Sequence, residues 1–528
     1  MQEVKNGSDS IDADHLRRLA QIGVALSAEK DIDRLLEKIL TESRIITRAD
    51  GGTLYLMSDN ESELEFAFVQ NESLGLSMGN AVSEMIWPPV RLSNPDGSPN
   101  HANVSAHVAI TGRLVNIADV YAAQNFNCEG PRLFDQKTGY RSQSMLVVPM
   151  CNHENDIIGV LQLVNARDAE NGRVIPFSPG CEEMALSLAS QAAVSLTNNL
   201  LIGQLESLLD SFIQTIAVAI DEKSPYTGGH VRRVADLTMS IAEKINASLE
   251  GHFAQIHFSS DELKELRMAA WLHDIGKITT PDHVVDKSTK LEKVYDRIEE
   301  IKTRFEMLKR ECQRTLEDAQ KVADAQTLHK AEREIRVLEE EYAFLLKLNT
   351  GSETVRDEMV ERIRQIARRK WRTTSQALPL LTEDEIYNLS IPNGTLNDEE
   401  RDIINNHAAV TYKMLSRLPF PRKLRRIAEY ASAHHEKLDG SGYPSGLRGD
   451  QLSLQSRIIA LADIFEALTA KDRPYKKGHT VGEALKIMEV MVRNQHIDPY
   501  LYELFIKEKI YDEFTKTELL SGNPTARS

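Results

Sequence analysis

The chain has 528 residues, too many for one hydrophobic core, so two or three domains are expected. Hydrophobic residues make up 41% and charged residues 27%, the balance of a globular protein, and no run approaches the ~18 apolar residues of a membrane span. The formal net charge of −16 excludes extended nucleic-acid binding as a natural role and leaves a small anionic ligand to be captured by local cations or metal.

The opening MQEVKNGSDSIDAD is polar and acidic, unlike a secretory signal peptide, so a cytoplasmic protein with no membrane attachment is the expectation. Cys128, Cys151, Cys181 and Cys312 form no CxxC pair and read as reduced thiols. Residues 15–197 read as an α+β domain. Leu16, Leu19, Ile22 and Leu26 recur at helical spacing, and Ile32, Leu35, Leu36 and Ile39 do so again after a turn at Lys30–Asp31. GGTLYLMSDN and ELEFAFV form a hairpin pattern with Asp59–Asn60 near its turn. SMLVVPM and DIIGVLQLVNA form a second, joined by the polar stretch Cys151–Asn155.

From Glu182 to about Asp221 the pattern is one long helix, of which 198–221 connects the two halves. Its stripe of Leu201, Leu205, Leu208, Phe212, Ile216 and Ala219 suits either a parallel coiled coil in a homodimer or packing on its own domain. Residues 222–515 read as all-α. Within them 291–372 is dense in Glu, Lys and Arg. Val294, Ile298, Ile301, Phe305, Leu308 and Cys312 follow one heptad rhythm, and Ile335, Leu338, Tyr342 and Leu345 another, before a break at Asn349–Thr350–Gly351. A coiled-coil or helical-hairpin insertion is the expectation.

The second half sets histidines beside acids: His230 after SPYTGG, His273 and Asp274 in WLHDIGK, His407 in INNHAAV, His434 and His435 in AHHEKLDGSGYP, and Asp463 in ALADIFEAL. Imidazole and carboxylate donors suit Fe, Mn or Zn. Two such ions ~3.5–4 Å apart can activate a water and clamp a phosphodiester.

HDIGK together with HHEKLDGSGYP resembles the HD-GYP family of the HD phosphohydrolase superfamily, over about residues 211–510. The resemblance implies that His230, His273, Asp274 and Asp463 are the superfamily's metal ligands, with Asp274 bridging, and that His407, His434 and His435 complete a dinuclear Fe or Mn centre. It makes Lys277 the cation at the scissile phosphate, Arg473 and Lys476 those at the other phosphate, and Tyr443 a ligand-facing residue of an exposed turn. Tyr226 stands where some members place a carboxylate for a third metal, so two ions are expected, with Glu222 nearby. ADIFEALTAKDRPY holds one more residue between Asp463 and Arg473 than the family's usual spacing. The activity implied is hydrolysis of cyclic-di-GMP to pGpG or GMP. The alternatives are another cyclic dinucleotide such as cyclic GMP-AMP, or a docking module that binds cyclic-di-GMP or a GGDEF-domain diguanylate cyclase without turnover.

Residues 15–197 resemble a GAF sensor domain through their strand order and IIGVLQLVNARD. Asn165, Phe177 and Glu182 match part of the NKFDE pattern of cyclic-nucleotide-binding members, while Ala166 and Cys181 replace its Lys and Asp. No GAF ligand is named by these residues.

Overall fold

Strand-length runs fill the first part of the chain and helix-length runs the second, and the computed structural model of the protein follows that division. It describes residues 8–79, 87–223, 229–322, 324–372, 376–470 and 478–512, with side chains from Arg17 onward. The chain divides into two compact units, Met1–Leu208 and Leu209–Ser528.

In the first unit α1 (Ser8–Ala28) and α2 (Ile32–Thr47) are separated where the Asp31 carboxylate accepts the N–H of Arg34 at 3.0 Å and starts a new helix. The hairpin of β1 (Ala49–Met57) and β2 (Glu63–Asn71) turns where the Asn60 side chain accepts the N–H of Ser62. There follow β3 (Leu76–Gly79), β4 (Val90–Arg91), α3 (Val104–Thr111), β5 (Val115–Ile117) and α4 (Glu129–Thr138). A second hairpin, β6 (Met145–Cys151) and β7 (Ile157–Arg167), turns on Asn152, whose side chain accepts from Glu154 and Asp156, and β8 (Val174–Ile175) closes the set. The antiparallel order is β3-β2-β1-β7-β6-β5, with β4 beside β2 and β8 beside β7.

Strand alternation sorts the side chains into two cores. Leu54, Leu146, Val148, Leu161 and Leu163 face one, with Leu35, Leu36 and Ile39 of α2. Tyr55, Met145, Val147 and Val160 face the other, with Val104 and Val108 of α3.

Helix α5 (Pro179–Asp221) buries Ala185, Leu188, Ala189 and Ala192 in the core shared with α2, and Ile213 and Ile220 in the core of the second unit, with Ala217 buried between them. Between these stretches Leu201, Leu205, Leu208 and Phe212 are 45–65% exposed. The stripe expected from the sequence is therefore partly solvent-facing, and the buried positions run one residue beside it.

The second unit is helical around one core: α6 (His230–Ala247), α7 (Ser260–Leu272), a 3₁₀ turn at Ile275–Thr279, α8 (Asp282–Val285), α13 (Asp398–Leu415), α14 (Ile427–Ser432), α15 (Leu454–Thr469), α16 (Val481–Arg493) and α17 (Pro499–Lys507). Between α8 and α13 lie α9 (Ile298–Lys321), α10 (Ala325–Asn349), α11 (Asp357–Ala367), the hairpin of β9 (Lys370–Arg372) and β10 (Ala377–Pro379), and α12 (Glu383–Leu389). The heptad pattern packs α9 on α10 through Ile301, Phe305, Leu338 and Leu345, and Gly351 at φ +67° ends the pair. Val294 does not join that seam: it precedes α9 and is 95% exposed. The insertion is more than a hairpin, because Ile363, Ile366, Leu380, Leu381 and Leu389 add a core of its own.

That separate core generates an expectation. Leu345 is fully buried, so Leu345→Ala should cost about 2–5 kcal/mol locally. Hydrogen exchange should quicken in α9 and α10 while α6 and α7 stay protected; equal acceleration in α7 would show that the two cores melt together.

Candidate metal centre

Several different elements place the residues of the C-terminal motifs. His230 opens α6, His273 follows α7, Asp274 leads into the 3₁₀ turn, His407 lies on α13, His434 and His435 follow α14, and Asp463 lies on α15. Gly276 lets these elements meet: a Cβ there would stand 2.0 Å from the His407 carbonyl oxygen. The Gly276 N–H donates to Thr411 Oγ1 at 3.0 Å, and that hydroxyl donates to the His273 carbonyl at 3.1 Å, so the HDIGK turn is stitched to α13.

At the centre sits the buried Asp274 carboxylate. Its Oδ1 lies 3.3 Å from His407 Nε2 and 4.0 Å from His434 Nε2. Its Oδ2 lies 3.5 Å from His230 Nε2 and 3.3 Å from His273 Nε2, beside the Lys277 ammonium. His230 Nε2 is also 3.3 Å from Asp463 Oδ1. Three groups could hold an ion: His230, His273 and Asp463; His273, Asp274 and His434; and His407, His434 and His435.

The rings are turned to ligate. The Nδ1–H groups of His273, His407 and His434 donate to the carbonyls of Ala270, Ile404 and Ala431, three residues back, at 2.7, 2.6 and 2.6 Å. This leaves Nε2 of each pointing inward. These three Nε2 atoms and Asp274 Oδ1 are buried and make no hydrogen bond among the described residues. Buried, unpartnered atoms of metal-donor type gathered around one carboxylate fit divalent ions, which would satisfy them.

The electrostatics agree. Burial opposes charge on His230, yet the carboxylates of Asp274, Asp463 and Glu466 raise it well above the ordinary imidazole value, and Asp274 and Asp463 raise His273. Burial opposes the ionised form of Asp274, but Lys277, His273 and His230 hold it well below the usual carboxylate range. Asp463 is held low by His230 and His273 in the same way. Burial lowers His434 well below its ordinary value, helped by the charges of His435 and His273. Burial likewise lowers His435 to about 4. The His434 and His435 side thus presents neutral imidazoles, and the His230 and His273 side presents protons that a metal would displace.

The GYP loop folds back on this cluster. A Cβ on Gly442 would come within 2.5 Å of Glu436 Cα, and the buried Glu436 carboxylate accepts the N–H groups of Ser445 and Leu447 at 2.7 and 3.0 Å. The Tyr443 ring, followed by a cis bond to Pro444, stands 4.8 Å from the His435 ring, and burial among the carboxylates raises its phenol. Glu222 belongs to none of the three groups. Arg473, Lys476 and Tyr226 lie outside the described residues.

Sequence reasoning passed over several supports. Glu466 accepts from His230 Nδ1 and pairs with Arg233. It stands three residues after Asp463 on α15, but its partner His230 is 236 residues away in sequence. Lys223 donates to the carbonyls of Lys277, Ile278 and Thr280, and Asp221 accepts the Val231 N–H at 3.1 Å. No local motif marks either residue. Asn165 is structural: its side chain accepts from Gln143 and Ser144 and donates to Tyr140 and Arg141, while Asn116 donates to Glu182 and the Phe177 carbonyl. Asn165, Phe177 and Glu182 do not line a cavity of about 580 Å³ in the first unit, which lies among Tyr55, Phe66, Trp87, Arg91, Asn103 and Gln162.

Comparison with known proteins agrees with both units. A GAF domain family model matches residues 31–196, and HD domain models match 227–367 and 377–501. The 3'3'-cGAMP-specific phosphodiesterase 3 of Vibrio cholerae serotype O1 is 44% identical over 128 residues, covering 23% of this chain and 26% of that protein. The cyclic di-GMP phosphodiesterase PA4108 of Pseudomonas aeruginosa is 37% identical over 114 residues, covering 22% and 26%. The match thus spans about a quarter of these curated relatives. Among solved structures, the GAF domain from Acinetobacter phosphoenolpyruvate-protein phosphotransferase is 15% identical, with a TM-score of 0.27, covering 36% of this chain and 97% of that one. The chain joins a GAF domain to an HD domain of the HD-GYP kind.

Proposed function

We propose that the second unit hydrolyses cyclic-di-GMP to pGpG, and with a second cut to GMP, under the control of the first. The observation that carries this is the division of Asp274, one oxygen toward His407 and His434 and the other toward His230 and His273. Two divalent ions, Fe or Mn by family resemblance, suit the two sides, with Asp463 completing one and His435 the other. When bound, such ions supply Lewis acidity and lower the pKa of water.

The chain's own groups do the rest. Lys277 holds an ammonium beside Asp274, where it offsets negative charge growing on the scissile phosphate. The half-buried Tyr443 ring offers an aromatic face to a purine base. Arg473 and Lys476 take the other phosphate by resemblance alone. Water adds across one P–O bond, with hydroxyl to phosphorus and the proton to the departing 3' oxygen, so no side-chain nucleophile is required. The names of the two relatives support a cyclic dinucleotide as substrate. The 44% identity to a cGAMP-specific enzyme favours 3'3'-cGAMP as the second reading. The cavity of about 580 Å³ is the candidate regulatory site of the first unit, walled by aromatic and amide side chains.

Anaerobic turnover of cyclic-di-GMP and of 3'3'-cGAMP by Fe- or Mn-loaded protein should fall by about 10²-fold or more in Asp274→Ala, with metal content dropping below two per chain. No turnover of either at full occupancy would refute the hydrolase. Because His230 and His273 hold protons above the ordinary imidazole range, metal must displace them. Mn²⁺ affinity should therefore rise from pH 6 to pH 8 with proton release, seen by calorimetry in buffers of different ionisation enthalpy. Affinity flat across that range would contradict it.

We also infer a homodimer along α5, whose exposed Leu201, Leu205, Leu208 and Phe212 follow a 4-3-4 spacing. Leu205→Glu with Leu208→Glu should turn a dimer into a monomer by light scattering. A parent that is already monomeric at micromolar concentration would rule the seam out.

A further inference from the structure

His273, His407 and His434 share one device: each Nδ1–H is spent on the carbonyl three residues back, so Nε2 faces the centre. His230 is held differently. It is the first residue of α6, preceded by Gly229 at φ +79°, and among the described residues its Nδ1 makes no such bond to a carbonyl. Its Nδ1 instead meets the carboxylate of Glu466, from a helix 236 residues further along the chain. Glu466 is 1% exposed and divides its oxygens: Oε2 faces His230, and Oε1 takes the Arg233 guanidinium at 2.7 Å. Arg233 sits three residues after His230 on α6, and Glu466 sits three after Asp463 on α15, so each helix gives one group to the cluster and one to the brace.

We propose that Glu466, held by Arg233, is the positioning residue that fixes His230 with Nε2 toward Asp463 and Asp274, in place of the backbone carbonyl that orients the other three rings. The proposal rests on the metal-centre reading above. A carboxylate does more than a carbonyl in that place. It orients the ring and makes its inward nitrogen a stronger donor, so the His230 side should bind an ion more tightly than the same imidazole on a neutral acceptor. Arg233 offsets the charge that the buried carboxylate would otherwise leave uncompensated.

The test is Mn²⁺ affinity, by equilibrium dialysis, of the full chain carrying Glu466→Gln, Glu466→Asp, or the pair Arg233→Met and Glu466→Gln. The double variant removes both buried charges together. The expected result is a loss of about 10–100-fold for one ion in Glu466→Gln and in the double variant, with partial recovery in Glu466→Asp. The metal-free melting temperature of the variant used for the reading should stay close to that of the parent. Affinity within twofold of the parent in either folded variant overturns the proposal. If both variants fail to fold without metal, the pair belongs to the fold and the proposal also falls. A parent that binds no Mn²⁺ defeats the metal-centre reading itself, and the proposal with it, which separates that failure from a parent that binds and a variant that binds equally.

Discussion

A buried carboxylate faced by four imidazoles is the constraint around which the second unit is arranged. Asp274 is almost fully buried, and its oxygens lie within 4.0 Å of Nε2 atoms of His230, His273, His407 and His434. Burying such a group costs several kcal/mol unless opposite charge answers it. Lys277 answers it, the carboxylates in turn raise the pKa of His230 and His273, and divalent cations suit the same position. Every helix that brings a ring must therefore arrive with its polar edge correctly turned, and the apolar packing behind it must hold that turn.

The packing does so with few specialised residues. Gly276 permits α13 to lie against the 3₁₀ turn, and Thr411 ties the two by receiving one backbone donor and meeting one backbone acceptor. The capping box of Asn397 and Glu400 starts α13, and the same Glu400 carboxylate pairs with the buried Lys287 at 2.7 Å. The start of that helix is thereby fixed to the segment preceding the insertion. Glu436 plays the equivalent part for the GYP loop, where two backbone donors converge on one carboxylate.

Much of this was legible because it is local. Strand alternation broken at Asp59–Asn60 and at the polar stretch Cys151–Asn155 gave the two hairpins of the first unit, and the turn at Lys30–Asp31 gave the break between α1 and α2. The side chains of Asn60, Asn152 and Asp31 make the bonds at these places. Of the cluster residues that the structure brings together, His273, Asp274, His434 and His435 stand in the HDIGK and HHEKLDGSGYP motifs, while His230, His407 and Asp463 were named because the family resemblance extends to their segments. What escaped depends on distant pairs. Glu466 gains its meaning only from His230, and Lys223 only from carbonyls more than fifty residues on. Val294 kept the heptad rhythm yet precedes the helix, because periodicity marks a face and not where that face begins.

The charged insertion leaves and rejoins the helical body at neighbouring points. The buried Lys290 ammonium donates to the carbonyls of Leu389 and Ile391 at 3.3 and 2.8 Å, holding the outgoing and returning strands of chain side by side. A segment of about a hundred residues is thus carried on a root only a few ångströms wide, with Ile301, Phe305, Leu338, Leu345 and Ile363 in a core of its own. Such a root makes the arm separable in evolution: it can be lengthened, recoloured in charge or exchanged while the spacing between the HDIGK turn and α13 stays as it is. The cluster around Asp274 can then stay fixed in space while its members lie far apart in sequence, and a motif search must allow for a long gap between His273 and His407.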